Sequence, residues 1–142
     1  VVALEATEIC ELPFGKLEGL ARELPGLQHQ LFRLMSREIA EEEVQLLMLG
    51  RMKAEERLAA FLLSISKRYH HLGYSPTDLH LPMSRQDLGD YLGLALETVS
   101  RLFSRFQEDK LITVQGRNVK LLNIARLKDV TEQAVSGQPA RI

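Results

Sequence analysis

An acid, a hydroxyl and a guanidinium share one face of the helix predicted for residues 92–106: Glu97, Ser100 and Arg101. Residues three and four apart lie on the same side of a helix, so these three side chains project together. An arginine can donate two hydrogen bonds to one guanine, a glutamate can accept one from cytosine, and a serine can bond several bases. The alternative is a solvated helix face with a chance charge pair, and the neighbouring segments decide between the two.

The other face of this helix is apolar, which predicts that it packs onto a core. Its apolar residues are Val99, Leu102, Phe103 and Phe106. A short helix is predicted just before it, because Ser84 and Asp87 form a plausible cap and Leu88 and Leu92 supply a buried side. Gly93 falls where two helices joined by a tight turn need a small residue.

Two short β-prone runs follow, residues 110–116 and 117–123, around the turn Gln-Gly-Arg-Asn, and they predict a hairpin. Two helices, a tight turn and a hairpin predict a winged helix-turn-helix whose second helix lies in the major groove of double-stranded DNA. An acid is unfavourable beside a polyanion unless it reads a base, so the polar stripe favours sequence recognition over phosphate attraction. The alternative from another functional class is a winged-helix module on a coiled-coil stalk that binds protein and makes no contact with DNA.

A long helix is predicted from the Pro25-Gly26 break to about Arg51. Its apolar residues recur at alternating spacings of four and three, which is typical of a two-stranded coiled coil and predicts a homodimer. The predicted interface residues are Phe32, Met35, Ile39, Glu42, Leu46 and Leu49. In a parallel dimer Glu42 faces its own copy, and the repulsion makes the dimer marginal. A buried helix of a monomeric bundle, or a register one step off, is the alternative.

The predicted fold class is mainly α, with a long dimerisation helix followed by a winged helix-turn-helix domain. Alternating apolar residues between 2 and 12 predict a β-strand before these, interpreted as the last strand of a missing domain. The family resemblance given below implies that this domain is a β-roll sensor. The chain is predicted to have four parts. They are the end of the sensor and a short helix (1–21), the dimerisation helix (22–53), the DNA-binding domain (54–130) and a flexible tail (131–142).

Composition restricts the protein class. The chain has 142 residues, of which 45% are hydrophobic, so it can bury a core. Its formal net charge is −1, and the residues after 53 are mildly basic, which permits DNA binding without arguing for it. The apolar runs are too short for a membrane span, and one cysteine suits a reducing cytoplasm, so we expect a cytoplasmic protein without membrane contact. We expect no enzyme, because His70, His71 and His80 have no consistent ligand spacing.

The segment 84–121 resembles the DNA-binding domain of the CRP/FNR superfamily of bacterial transcription regulators, in particular the FNR-type, anaerobic branch. That branch carries a Glu-x-x-Ser-Arg pattern, matched by Glu97, Ser100 and Arg101. The segments 54–66 and 8–14 are similar to the same branch, so the resemblance extends to about residue 130. It implies an oxygen-responsive dimeric activator that binds a palindrome with TTGAT-type half-sites.

The resemblance also implies a 4Fe-4S cluster in the full-length protein, with Cys10 matching the fourth ligand. The other three cysteines are absent from this sequence, so no cluster is expected in this chain. An acid at the position of Glu42 is typical of the branch, and Ser75 matches a contact with RNA polymerase, although an ordinary Ser-Pro turn explains Ser75 equally well. A regulator that responds to nitric oxide, haem or a nucleotide is the alternative within the superfamily. Glu42 and Glu43 count against a cyclic nucleotide.

Overall fold

The structure is a computed structural model that describes the backbone of residues 3–136. It describes the side chains in that range except those of residues 41–49, 51 and 132–136. The chain divides into two compact units, Val1–Leu47 and Met48–Ile142. Helices dominate both units, and the strands described all belong to the second.

The first unit contains helix α1 (Phe14–Glu23) and most of helix α2 (Pro25–Arg51). The two helices are separated at Leu24, whose backbone N–H still donates to the carbonyl of Leu20 over 2.9 Å. Pro25 begins α2 at the position where a missing N–H costs no helical hydrogen bond. The long helix predicted from sequence is therefore confirmed, with its start at residue 25.

The β-strand predicted between residues 2 and 12 is wrong for the residues that the structure describes. Residues 6–13 form neither helix nor strand. A strand exists only where a neighbouring strand accepts and donates its backbone hydrogen bonds, and the described chain offers this segment no such neighbour. Alternation of apolar residues was therefore not sufficient evidence for a strand here.

The second unit begins with the end of α2 and continues through four further helices. These are α3 (Ala54–His71), α4 (Arg85–Leu92), α5 (Leu96–Glu108) and α6 (Ile124–Ser136). Between α2 and α3 the helix is interrupted at Lys53, whose backbone N–H donates to the carboxylate of Glu56 over 2.7 Å. Two acids in the first turn of α3 also favour its N-terminal end, where the helix dipole is positive.

A small antiparallel sheet covers one side of these helices. It has the order β1 (Asp78–His80), β3 (Asn118–Leu121), β2 (Ile112–Gln115). The β2–β3 hairpin confirms the predicted wing, with Ile112 opposite Leu121. Strand β1 was missed, because its three residues carry almost no local signal and its partner β3 is about forty residues later in the chain.

Helix α6 was also missed. The side chain of Asn123 accepts a hydrogen bond from the backbone N–H of Arg126 over 3.0 Å and so caps the helix. Leu127 is fully buried where α6 packs on α3. The flexible tail predicted for residues 131–142 is wrong in its first part. Residues 131–136 belong to α6, and residues 137–142 lie outside the described part of the chain.

One hydrophobic core holds the second unit together. Its largest fully buried side chains are Leu58, Leu62, Leu79, Leu88, Leu92, Val99, Ile112, Val119 and Leu127. They come from α3, α4, α5, α6 and the sheet, so every described element after residue 53 contributes to one core. The mainly α fold class with a winged helix-turn-helix is therefore confirmed, and helix α5 is held by its apolar face.

Candidate nucleic-acid interface

Helix α4 starts at the predicted cap. The hydroxyl of Ser84 accepts from the backbone N–H of Asp87 over 3.1 Å, and the carboxylate of Asp87 accepts from the backbone N–H of Ser84 over 2.7 Å. The Ser84 hydroxyl also donates to that carboxylate over 2.6 Å. This bond and the one from the Ser84 backbone N–H hold the pKa of Asp87 below its usual value of 3.8. The capping box predicted from the two residue types is thus confirmed, and it determines where the first helix of the motif begins.

The turn between α4 and α5 depends on two glycines. Gly93 has φ of +64°, a left-handed conformation that glycine adopts without steric cost, and it ends α4 as predicted. At Gly89 the requirement is space, because a Cβ atom there would lie 2.6 Å from the backbone oxygen of Leu94. No sequence pattern points to this second glycine, because its role depends on how closely the turn folds back onto α4.

The three side chains of the predicted stripe lie together on the exposed face of α5. Glu97, Ser100 and Arg101 are all exposed. The opposite face packs into the core, with Val99 fully buried and Phe106 nearly so. Thr98, which was not among the predicted site residues, lies beside the stripe, and its hydroxyl is 3.4 Å from a guanidinium nitrogen of Arg101. The face therefore presents both donors and acceptors to a ligand while the helix itself is fixed.

The wing is tied to the C-terminal half of α5. The backbone N–H of Val114 in β2 donates to the side-chain oxygen of Gln107 over 3.2 Å. Gly116 at the tip of the hairpin has φ of +61°, as a tight two-residue turn requires. Arg117 beside it is exposed. The predicted position of this turn is confirmed. Arg117, which was not among the predicted site residues, adds a positive charge at the tip.

Arg85 connects the two helices of the motif in a way that the sequence did not reveal. Its guanidinium carbon lies 3.3 Å from the centre of the Phe103 ring, a cation–π contact between α4 and α5. Burial lowers the pKa of Arg85 from its usual range, although a guanidinium stays charged at neutral pH. No periodicity argument pairs residues 18 positions apart, so only the fold brings these two together.

Ser75 takes part in a hydrogen-bonded turn. Its hydroxyl donates to the carboxylate of Asp78 over 2.7 Å and accepts from the backbone N–H of Asp78 over 3.3 Å. Hydrogen bonds from Ser75 and Thr77, and the nearby Lys120, lower the pKa of Asp78 from 3.8. These contacts favour the turn interpretation. Ser75 is exposed, so contact with a partner at this turn stays a prediction.

The predicted dimer interface is only partly within the described side chains. Phe32, Met35 and Ile39 on α2 are 60%, 53% and 57% exposed. The side chains of Glu42, Leu46 and Leu49 lie outside the described residues. The described part of the predicted dimer interface is therefore apolar and accessible, as a surface for a second copy requires.

Cys10 is exposed, in the segment without helix or strand. Within the described residues no group of three or more histidine, cysteine or acidic side chains is arranged to hold a metal. His80, one of the histidines considered above, has its Nδ1 2.8 Å from the side-chain oxygen of Asn118. Among the described helices, none combines the length and the apolar character needed to cross a membrane.

Comparison with known proteins identifies the family. Residues 56–130 match the Crp-like helix-turn-helix domain, which covers more than half of the chain. The chain therefore belongs to this family, and its resemblance to the CRP/FNR superfamily, FNR type, is confirmed. The match includes α3 to β3 and the first turns of α6, which are the elements that position the polar stripe of α5.

Two curated relatives and one solved structure show how far the similarity extends. The transcriptional activator protein Anr of Pseudomonas protegens is 45% identical over 135 residues, which are 95% of this chain and 55% of that protein. The transcriptional activator protein FnrA of Stutzerimonas stutzeri is 47% identical over 121 residues, 85% of this chain and 50% of that protein. FixK2 from Bradyrhizobium japonicum has a TM-score of 0.75 at 37% identity, covering 82% of this chain and 57% of FixK2. The chain spans about half the length of each.

Proposed function

We propose that this chain binds double-stranded DNA sequence-specifically, as part of a transcription regulator, with α5 in the major groove. The observation that carries the proposal is the exposed stripe of Glu97, Ser100 and Arg101 on a helix whose other face is buried. In helix-turn-helix proteins the second helix enters the groove and its N-terminal residues contact base edges. Glu97 is in the first turn of α5, and Arg101 is one turn later.

The chemistry of the stripe supports recognition of bases. Arg101 can donate two hydrogen bonds to O6 and N7 of a guanine, and Glu97 can accept one from N4 of a cytosine. Among the residues that the structure describes, Arg101 has one long contact, to Thr98, so its guanidinium can turn toward a base at little cost. The exposed Arg117 in the wing is suited to the phosphate backbone, which accounts for much of the affinity but carries no sequence information.

We propose further that the chain binds as a homodimer through α2. Phe32, Met35 and Ile39 leave an apolar strip accessible along this helix, and a symmetric dimer matches a palindromic site. A second copy is the partner that fits best, because the strip has the spacing of a two-stranded coiled coil. Contact with RNA polymerase at Ser75 is proposed on the family resemblance and the exposure of that turn.

The test of DNA recognition compares two duplexes, one with TTGAT-type palindromic half-sites and one of random sequence. Arg101→Ala should weaken binding to the palindrome by about 1–3 kcal/mol and binding to random DNA much less. Lys128→Ala is the matched control, since it removes one positive charge from an exposed position on α6. Equal losses on both duplexes would show that Arg101 contacts phosphate, and unchanged binding would favour the protein-interaction alternative.

An oxygen-responsive cluster requires more than this chain contains. Four thiolates hold a 4Fe-4S cluster, and the sequence has one cysteine, so the residues present do not fit the cluster by themselves. We propose Cys10 as one ligand in a longer protein that supplies three more, an anaerobic regulator of the FNR type. Cys10→Ser in that protein should abolish the visible absorption of the anaerobically purified cluster. Retained absorption would refute the assignment of Cys10.

A further inference from the structure

The first turn of α3 contacts the recognition helix through an ion pair that the function proposed above does not use. A guanidinium nitrogen of Arg105 on α5 lies 2.8 Å from a carboxylate oxygen of Glu55 on α3. A second acid, Asp109, which follows the last residue of α5, lies 3.9 Å from Nε of Arg105. Arg105 is therefore held between one acid at the end of its own helix and one on the helix that follows the break at Lys53.

The position of Arg105 along α5 argues against a direct role in reading bases. Arg105 is eight residues after Glu97, and a helix rises 1.5 Å per residue, so the two lie about 12 Å apart along the axis. In this class of motif the N-terminal residues of the second helix contact the bases. Arg105 is in the last turn, where α5 leaves the groove in that arrangement.

A second contact connects the same turn of α3 to the other helix of the motif. The guanidinium of Arg57 donates to the backbone oxygen of Met52 over 2.9 Å and to the backbone oxygen of Leu92 over 3.1 Å. Leu92 ends α4, where unpaired carbonyls attract a positive charge. The start of α3 thus contacts the C-terminal end of α4 through Arg57 and the last turn of α5 through Glu55.

We propose that Glu55 and Arg105 are positioning residues for DNA recognition. Their ion pair fixes the tilt of α5 against α3 and so presents Glu97, Ser100 and Arg101 correctly to the bases, without itself touching DNA. The inference rests on the function proposed above. The pair is partly exposed, 61% for Arg105 and 30% for Glu55, and such pairs contribute little to stability. Its loss should therefore change binding more than folding.

The test uses Glu55→Arg, Arg105→Glu and the double variant in the 142-residue chain, with binding measured on the palindromic and random duplexes. Glu55→Arg makes the protein more positive, which by long-range attraction alone would strengthen DNA binding. If Glu55 positions α5, Glu55→Arg should instead weaken DNA binding, because the new guanidinium group repels that of Arg105. We expect each single variant to weaken binding to the palindrome by about threefold to tenfold, and the double variant to restore it to within about twofold.

Asp129→Arg is the matched control for charge. It makes the same change of two units at an exposed acid on α6 that forms no ion pair with the described residues, and we expect it to bind as well as the wild type or better. The salt dependence of binding provides a second measurement. Removal of a phosphate contact reduces the slope of the logarithm of the binding constant against the logarithm of the salt concentration by about 1. Loss of a positioning residue leaves this slope unchanged.

The possible results distinguish the positioning role of the ion pair from the proposed DNA-binding function. Weakening by Glu55→Arg with recovery in the double variant supports the positioning pair. Additive effects or no recovery would overturn it. So would a salt-dependence slope that falls by about 1 in Arg105→Gln, a further variant that removes the charge without reversing it. Failure of the wild type itself to distinguish the palindrome from random DNA would contradict the proposed function instead. Thermal unfolding of all variants shows whether each remains folded.

Discussion

The guanidinium of Arg85 stacks on the ring of Phe103, with its central carbon 3.3 Å from the ring centre. Arg85 is the first residue of α4, and Phe103 is 3% exposed on the core face of α5. The contact therefore joins the two helices of the motif at a point where a positively charged side chain of α4 lies on a core residue of α5.

Replacing both partners should show that they are coupled. In a double-mutant cycle of Arg85→Met and Phe103→Leu, we expect a coupling free energy of about 0.5–2 kcal/mol, as for a partly desolvated cation–π pair. Urea unfolding measures it. Phe106→Leu is the control partner, because Phe106 is equally buried on α5 and is not stacked on Arg85. Coupling equal in both cycles would mean that the stacking contributes nothing specific.

Gly89→Ala should destabilise the protein although alanine is the better helix former. The added Cβ would lie 2.6 Å from the backbone oxygen of Leu94, so the turn must move. We expect a loss of about 1–3 kcal/mol in the free energy of unfolding, against about 1 kcal/mol gained from helix propensity. Gly50→Ala is the control, since a Cβ there meets nothing within 4 Å. A neutral Gly89→Ala would contradict the close approach.

Asp87 should make stability depend on acid pH. Its pKa in the folded state is lowered from 3.8 by the hydrogen bonds with Ser84, so the unfolded chain binds the proton more readily. The stabilisation is complete above the unfolded pKa and is lost as the pH falls through the folded value. Urea midpoints between about pH 5 and pH 2 should fall less steeply in Asp87→Asn than in the wild type.

Asp90→Asn is the matched control for that measurement, because Asp90 is an exposed acid on the same helix that takes no part in the cap. Asp78, whose pKa is also lowered, remains in both variants and keeps part of the acid dependence. An unchanged slope in Asp87→Asn would show that the capping box does not distinguish the two protonation states.

Glu42→Ala should shift the chain toward dimer. Two carboxylates about 4 Å apart in a parallel seam repel by about 1 kcal/mol even in water, and more where the seam is drier. A gain of about 1.4 kcal/mol changes the dimerisation constant tenfold, and sedimentation velocity over a concentration series measures it.

Ile39→Glu should have the reverse effect. Glu38→Ala is the control, because Glu38 is exposed and outside the predicted register. An equal shift in both alanine variants would refute that register.

The sequence was sufficient wherever the signal is local. Reciprocal capping by Ser84 and Asp87 depends on residues three apart, and the left-handed end of α4 needs a glycine at residue 93. The polar and apolar faces of α5 follow from the 3.6-residue period, which is the same in any fold. The family resemblance then led to the proposal that the polar face reads DNA bases.

Tertiary structure decided everything that depends on residues far apart in the chain. Strand β1 forms because β3 pairs with it. The segment 3–12 forms no strand because the described chain offers it no neighbouring strand to pair with. The contact of Arg85 with Phe103 and the ion pair of Glu55 with Arg105 join residues 18 and 50 positions apart. Periodicity and capping describe one element at a time, whereas these contacts arise only when the core has placed several helices against one another.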